Sequence, residues 1–419
     1  MTSAPSTPWN MGRTTLADLS ALVGEHPVMH ELVASPDGSC VAAPVENADG
    51  TLSVWTSQGA WADSFEKVLS LRYLPDGRLM ALVRIDDEWT VAVDGAPWDE
   101  RFEFAWNPKL SGDGQHIGVQ IKRDGEYGVA IDGKAWDKGF LSLRDFALSA
   151  DGAHAAATVQ VSKLGEADIW TFAEGTWGVA VDGQAWEQHF INTYAPVFSP
   201  DGSSVAAEVR LDTCVYSLAI DGKTWDARYG CVWEPRYNGQ HLLVPVRAGG
   251  AWSLAQDGQP LWKNTYMQLW HTTPGPDGKR VAAVVATGYG RWTVAVDDQP
   301  WVTEFSDLVL QPLFSPDGAR VAAVVRDQER WNVALDGQAW GPGFDMVWQP
   351  VFSRDGTHLA CHVEQGGTHT LCVDGKLARR SFAQLFDPMF SADGSALALC
   401  GVEGTQVVRE VVAVADLVR

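Results

Sequence analysis

Six cysteines, Cys40, Cys214, Cys231, Cys361, Cys372 and Cys400, are scattered through the chain with no C-x-x-C and no C-x-x-C-H. Zinc, iron–sulfur and c-type haem attachment therefore lack their ligand spacing, and the thiols read as small core residues. No apolar run approaches the roughly 18 residues that cross a bilayer, so no direct membrane span is expected. The opening "MTSAPSTPWNMGRTTLADL" has neither a basic start nor an apolar h-region, which makes the cytoplasm the default location. Cationic residues are scarce: 31 Lys and Arg against 53 Asp and Glu leave a formal charge of −22. Nucleic acid and anionic lipid both need a cationic face, so neither is expected as the main partner. A G-x-S-x-G elbow, a Gly-rich phosphate loop with its lysine and clustered histidines are all missing as well. No catalytic residue, metal or cofactor is assigned on these grounds.

What the chain has is repetition. "APVFSPDGSSVAAEV" (195–209) returns as "QPLFSPDGARVAAVV" (311–325), "QPVFSRDGTHLACHV" (349–363) and "DPMFSADGSALALCG" (387–401). The Asp-Gly pairs, once Asn-Gly, begin at Asp37, Asp76, Asp113, Asp151, Asp201, Asn238, Asp277, Asp317, Asp355 and Asp393. Their spacing is 37 to 40 residues except for one step of 50, which defines ten units. Within a unit, runs such as "PVFS" and "VAAEV" flank an Asp-Gly turn and read as strands a and b. "WNVALDG" (331–337) reads as strand c, ending in a second Asp-Gly, and "AWDKGFLSL" (135–143) as strand d. Four strands in about 40 residues, repeated without helices between, is the pattern of propeller blades.

Proline agrees. Pro108, Pro196, Pro235, Pro312, Pro350 and Pro388 recur at the expected start of strand a. A residue that cannot donate to a ladder belongs at a strand start or on an edge such as the one facing a central channel.

The "FSPDG" turn followed by "VAAVV" resembles the WD-repeat relatives of TolB-type and prolyl-peptidase-type propellers, over nearly the whole chain from about residue 30. The expected fold is therefore all-β, a β-propeller of about ten WD-like four-stranded repeats. Residues 30–419 form the repeats, preceded by an N-terminal segment, 1–29, that holds a short helix and a candidate closing strand. Unit ten lacks a strand d, and Pro8 and Trp9 supply the residue type that opens strand d elsewhere, although Arg13 stands where an aromatic should follow. Closure of this kind favours one large ring. Ten blades exceed the usual four to eight, so two smaller rings, or a ring with a peripheral unit, stay open.

Tryptophan follows the repeat. One class opens strand d (Trp98, Trp136, Trp186, Trp225, Trp301 and Trp340, with Trp61 and Trp262 one place off), and an aromatic such as Phe102 or Phe344 follows four residues on. A second opens strand c (Trp89, Trp177, Trp252, Trp292, Trp331), and a third comprises Trp106, Trp233, Trp270 and Trp348. These addresses hold 17 of the 20 tryptophans, which favours wedge-filling between blades over an electron relay or ligand cage. Outside them stand Trp9, Trp55 and Trp170.

Departures from the repeat are where partner contacts are expected. Unit four carries about twelve extra residues in "VSKLGEADIWTFAEGTW" (161–177), taking Trp170 and Phe172 outward as a binding knob or a seal on a neighbouring blade; the knob is favoured. In "TTLADLSALVGEH" (14–26), Leu16, Leu19, Leu22 and Val23 share one face of a short helix capped by Thr14 or Thr15. Leu16 and Leu19 are the second candidates for partner docking, although most such helices pack on their own domain. Hairpin register through Gly366 and Gly367 places Cys361 opposite Cys372, with His362 and His369 on the other face. Core thiols are favoured there over a disulfide or metal site.

The acidic, tryptophan-rich chain with "VAVDG-x-x-W" repeats resembles the tryptophan-rich subunit of the Tmc transmembrane redox complex of sulfate-reducing bacteria. That resemblance implies a cofactor-free subunit beside haem and iron–sulfur proteins, on the cytoplasmic face of the inner membrane, in electron transfer of sulfate respiration. The functional expectation is a non-catalytic scaffold whose partners are other protein subunits. The alternative is a small-molecule- or peptide-binding propeller, or an enzyme using the channel mouth.

Overall fold

The structure, a computed structural model, describes residues 9–165 and 168–417. Ten antiparallel sheets follow one another along the chain, each ordered a-b-c-d, and blade numbers below follow the ten sequence units. Blade 5 is representative, with a at Asn192–Phe198, b at Val205–Asp212, c at Val215–Ile220 and d at Lys223–Thr224. Strands a of successive blades lie against one another, Ser142–Leu148 against Asn192–Phe198 for instance, which puts them at the axis.

The sheets form a single ten-bladed ring. Strand b alternates small apolar residues toward its two neighbours: Ala206 packs into blade 6 with Leu242 and Val244, whereas Val205 and Ala207 pack against Ala156 and Val179 of blade 4. The same interdigitation joins blade 10 to blade 1, where Cys400, Val402 and Val407 meet Leu32, Val41 and Ala43. Two separate rings are thereby excluded.

The N-terminus supplies strand d of blade 10, so the two termini complete one blade as expected, with the strand lying after Pro8 and Trp9. Gly12–Asp18 is a strand, paired antiparallel with Gln406–Ala413 as strand d of blade 10, so the N-terminal segment carries the closing strand. The helix is shorter than the leucine spacing predicts. Helix α1 spans Leu19–Glu25, and its N-cap is Asp18, whose carboxylate accepts from Ser20 N at 2.9 Å, in place of Thr14 or Thr15. The β-branched pair Thr14 and Thr15 finds an open sheet edge, and tertiary pairing outweighs a helical period that Leu16, Leu19 and Leu22 also satisfy. Arg13 reaches Glu403 at 2.7 Å. Trp9 packs on Ala396, Ala398 and Val411, while Pro8 lies outside the described residues.

Strand boundaries shift in two further places. Strand d is shorter than expected: Lys134–Ala135 makes the ladder, Phe140 bridges Tyr127, and Ser142 already opens strand a of the next blade. Strand a begins earlier, at Asn192 in blade 5 instead of at Pro196, and the prolines mark an irregularity within it. Asn107 and Ala195 adopt φ of 51° and 45° where the register shifts, and Pro108 and Pro196 follow directly. In blades 8 and 9 strand a is split in two around Pro312 and Pro350. Proline is tolerated because the ladder is already interrupted there.

The second Asp-Gly turn explains the tryptophans. Asp336 and Gly337 take φ of 50° and 81°, the paired left-handed geometry of a type I′ hairpin. Asp336 Oδ1 accepts from Val321 N at 2.8 Å, tying the outer turn back to strand b. The strand-d tryptophan of the preceding blade lies flat on this turn: a Cβ on Gly337 would meet Trp301 at 3.0 Å, and one on Gly133 would meet Trp98 at 3.0 Å. Glycine is thus required for its backbone and for close approach of an indole. The same geometry recurs at Gly95, Gly183, Gly222, Gly258 and Gly375. The indoles at this address fill the wedges between blades.

Candidate functional site

The unit-four insertion ends in helix α2, Ile169–Glu174, capped by Asp168, whose carboxylate accepts from Thr171 N at 3.0 Å. Gly175 at its far end has φ of 93°, and a Cβ there would meet the Phe190 backbone at 2.5 Å, so only glycine returns the chain to the sheet. The helix buries none of its residues. Trp170 is 78% exposed and Ile169 67%, with Leu164 and Phe172 exposed beside them. An apolar patch displayed on a non-repeating insertion is the arrangement of a protein-docking site.

The other sequence candidates are placed differently. Leu19 is buried with Leu22 in the seam between blades 10 and 1, and Leu16 packs half-buried on the same cluster. Leu19 is therefore used by the ring's own closure and is not available to a partner, because sealing the joint between the termini outcompetes display. The side chain of Val23 lies outside the described residues.

A second feature was not visible as a motif. The fourth core position of strand b lies level with the strand-a irregularity. It is Val284 and Val324 in blades 7 and 8, but Gln120, Thr158 and Glu208 in blades 3 to 5, all buried. The Glu208 carboxyl has no hydrogen-bond partner among the described residues. Burial, then the negative charges of Glu234 and Asp145, push its pKa up to about 8, so it is protonated at neutral pH. Asp145 and Glu234 line a cavity of about 400 Å³ together with Lys109 and Arg236. Lys109 donates to Phe146 O at 2.5 Å and lies 4.8 Å over the Phe146 ring. Burial lowers its pKa against the pull of Asp145. Such a pocket suits a small polar ligand carrying charge of either sign. The available signal was a glutamate in "VAAEV" where blades 7 and 8 carry "VAAVV".

Cys361 stands directly opposite Cys372, as the hairpin register predicts, and both thiols are free and buried. Contact with Cys372, reinforced by burial, holds the Cys361 thiol well above its usual range. On the other face His362 Nε2 lies 2.8 Å from His369 Nδ1, and the His362 ring stacks on Trp348 at 3.7 Å. Among the described residues no three His, Cys, Asp or Glu side chains are grouped to hold a metal ion. No described helix is long and apolar enough to cross a membrane.

No protein-family model matches the chain, and no curated protein matches it. Solved structures resemble it at the level of fold. A eukaryotic initiation factor is 13% identical over 78% of this chain and 90% of its own, with a TM-score of 0.49. The Dos1 propeller is 10% identical over 95% and 94%, with a TM-score of 0.36. TolB from Agrobacterium tumefaciens is 16% identical over 59% and 83%, with a TM-score of 0.31. At these identities a shared fold implies nothing about chemistry. By its own sheets and seams, the chain is a ten-bladed β-propeller.

Proposed function

We propose that this protein is a non-catalytic scaffold that docks another protein subunit through helix α2. The observation that carries this reading is Trp170, 78% exposed on a helix that packs nothing beneath it. Large aromatics at protein interfaces are the residues whose truncation most often costs about 2 kcal/mol or more of binding. The other hairpins of the ring lack this insertion, so the patch gives an otherwise repetitive body one distinct face. A cytoplasmic location rests on the opening sequence, and partnership with haem and iron–sulfur proteins of a membrane-bound electron-transfer complex rests on the Tmc resemblance alone. Native purification in mild detergent tests both levels. A partner held by the wild type, identified, rebuilt from purified components and lost from Ile169→Ser/Trp170→Ser sustains the scaffold reading. A lone monomer overturns it, and a partner without haem or iron–sulfur centres overturns only the redox assignment.

The buried Glu208 beside a charged cavity favours a second reading, a small polar ligand held at the channel. Calorimetric titration with small amines and carboxylates, repeated on Glu208→Gln, tests it.

A further inference from the structure

Ten near-copies of one sheet allow each address to be compared with its counterparts. One strand-b address lies directly opposite the aromatic that opens strand c. It places Arg84 opposite Trp89, Lys122 opposite Tyr127, Arg210 opposite Tyr216, Arg247 opposite Trp252 and Arg326 opposite Trp331. In blades 5 and 8 the guanidinium carbon lies over the ring, 5.9 Å and 5.7 Å from its centre. Blade 4 has Gln160 opposite Trp177, and there Arg144 reaches over from strand a, 3.8 Å from the ring centre. A cation thus stands across the ladder from the aromatic in blades 2, 3, 5, 6 and 8, and lies over the ring in blades 4, 5 and 8. It answers the negative face of the ring.

Blade 7 breaks this rule. Ala286 stands opposite Trp292, and the neighbouring Arg291 lays its guanidinium along Gly288, on the side of Glu304, 3.6 Å away, and not across from the Trp292 ring. A cavity of about 490 Å³ lies at this address, and its walls include Met267, Trp270, Ala286, Tyr289, Trp292 and Ser306; the matching cavity of blade 3, about 470 Å³, keeps Lys122 in its wall beside Trp106 and Tyr127. Trp270 and Trp292 stand 4.6 Å apart with their planes tilted by 31°, and Tyr289 is 95% exposed at the edge. The rim is acidic: the Ser306 hydroxyl donates to Asp307 and Asp327, each at 2.8 Å. The chain as a whole carries −22. An aromatic cleft with an acidic rim, at an address that elsewhere holds an internal arginine or lysine, is complementary to a cation from outside.

We propose that the blade 7 cleft binds the guanidinium of an arginine side chain on a partner polypeptide, in the place where blades 5 and 8 use their own Arg210 and Arg326. The planar head stacks on the indoles while the carboxylates of Asp307 and Asp327 offset its charge. The cleft is in blade 7 and helix α2 in blade 4, so either site can fail without the other.

Isothermal titration of the full chain with acetyl-Gly-Arg-Gly-amide, its citrulline counterpart and free argininamide tests the proposal. The arginine peptide binds, and the citrulline peptide, isosteric but neutral, binds roughly tenfold more weakly or not at all. Ala286→Arg removes binding by supplying the internal guanidinium of the blade 8 pattern, and Trp270→Leu weakens it if the first variant fails to fold. Ile169→Ser/Trp170→Ser leaves it unchanged. Equal affinity for the citrulline peptide, undiminished binding by a folded Ala286→Arg, or no binding of the arginine peptide overturns the proposal. Binding of argininamide without the peptide overturns the polypeptide source.

Discussion

The outer and inner tiers of each blade are made from the same four strands but obey different rules. In the outer tier, the strand-d tryptophan, the companion aromatic and the Asp-Gly turn recur nearly unchanged from blade to blade, because every wedge between twisted sheets has similar volume to fill. In the inner tier, the fourth strand-b residue runs through Leu82, Gln120, Thr158, Glu208, Pro245, Val284, Val324 and His362. There strand a bulges or breaks, and the residue meets different neighbours from blade to blade: Leu82, Val284 and Val324 join apolar clusters between blades, whereas Glu208 lies near Glu234 and Asp145. Repetition marks what holds the ring together, and divergence marks what faces its particular surroundings.

The comparison breaks if outer-tier residues prove dispensable. Trp136, 8% exposed and packed on Gly183 of the next blade, is a member of the repeating set. Trp136→Ala should cost about 3–5 kcal/mol in denaturant unfolding. The exposed inner-tier Gln349→Ala should stay within about 0.5 kcal/mol of the wild type.

Next in size is the pH response of Glu208. Its folded pKa of about 8 lies above the ordinary value of 4.5, so between these limits the folded state holds a proton that the unfolded state has released. Stability from this group is intact below pH 4.5 and falls as pH rises toward 8. Unfolding measured at pH 5 and pH 8 should show the wild type losing roughly 2–4 kcal/mol more than Glu208→Gln over that interval. Parallel curves for the two proteins would place Glu208 outside the desolvated inner tier. His362, at the same address in blade 9, runs in the opposite direction. Burial and then the nearby His369 lower its pKa to about 3, so its contribution, present above the ordinary value of 6.5, is lost as pH falls toward 3.

A smaller effect sharpens the account of the turn. Gly337→Ala forces a side chain into φ of 81° and against Trp301 at 3.0 Å, and should destabilise by about 1–3 kcal/mol. The same substitution at Gly366, with φ of 61° but open space around it, should cost less, and the difference between the two measures the indole contact. Smallest of all, Trp170→Ser should leave unfolding within about 0.5 kcal/mol, because the side chain is exposed on a helix that buries nothing.

Blade number, the a-b-c order and the inter-blade aromatics were legible because each is encoded locally. An Asp-Gly pair imposes its turn wherever it stands, and a short alternating run has few other ways to satisfy its backbone. The stretch from Thr15 to Asp18 was misread as helical since the spacing of Leu16, Leu19 and Leu22 fits a helix, and the decisive partner, Gln406–Ala413, lies at the other end of the chain. Helix α2 was recognisable only as an insertion; the exposure of Trp170 required the fold.

The sequence by itself determined a repeating β architecture of ten units, with tryptophan and glycine as its joints, because turn chemistry and strand alternation act over a few residues. Only the tertiary structure decided that the ten units close as one ring, that Glu208 is buried without a partner, and that Trp292 lacks the cation its counterparts have. Each of these depends on which surface the neighbouring strand or blade presents, and that surface exists only once residues distant in the chain have packed together.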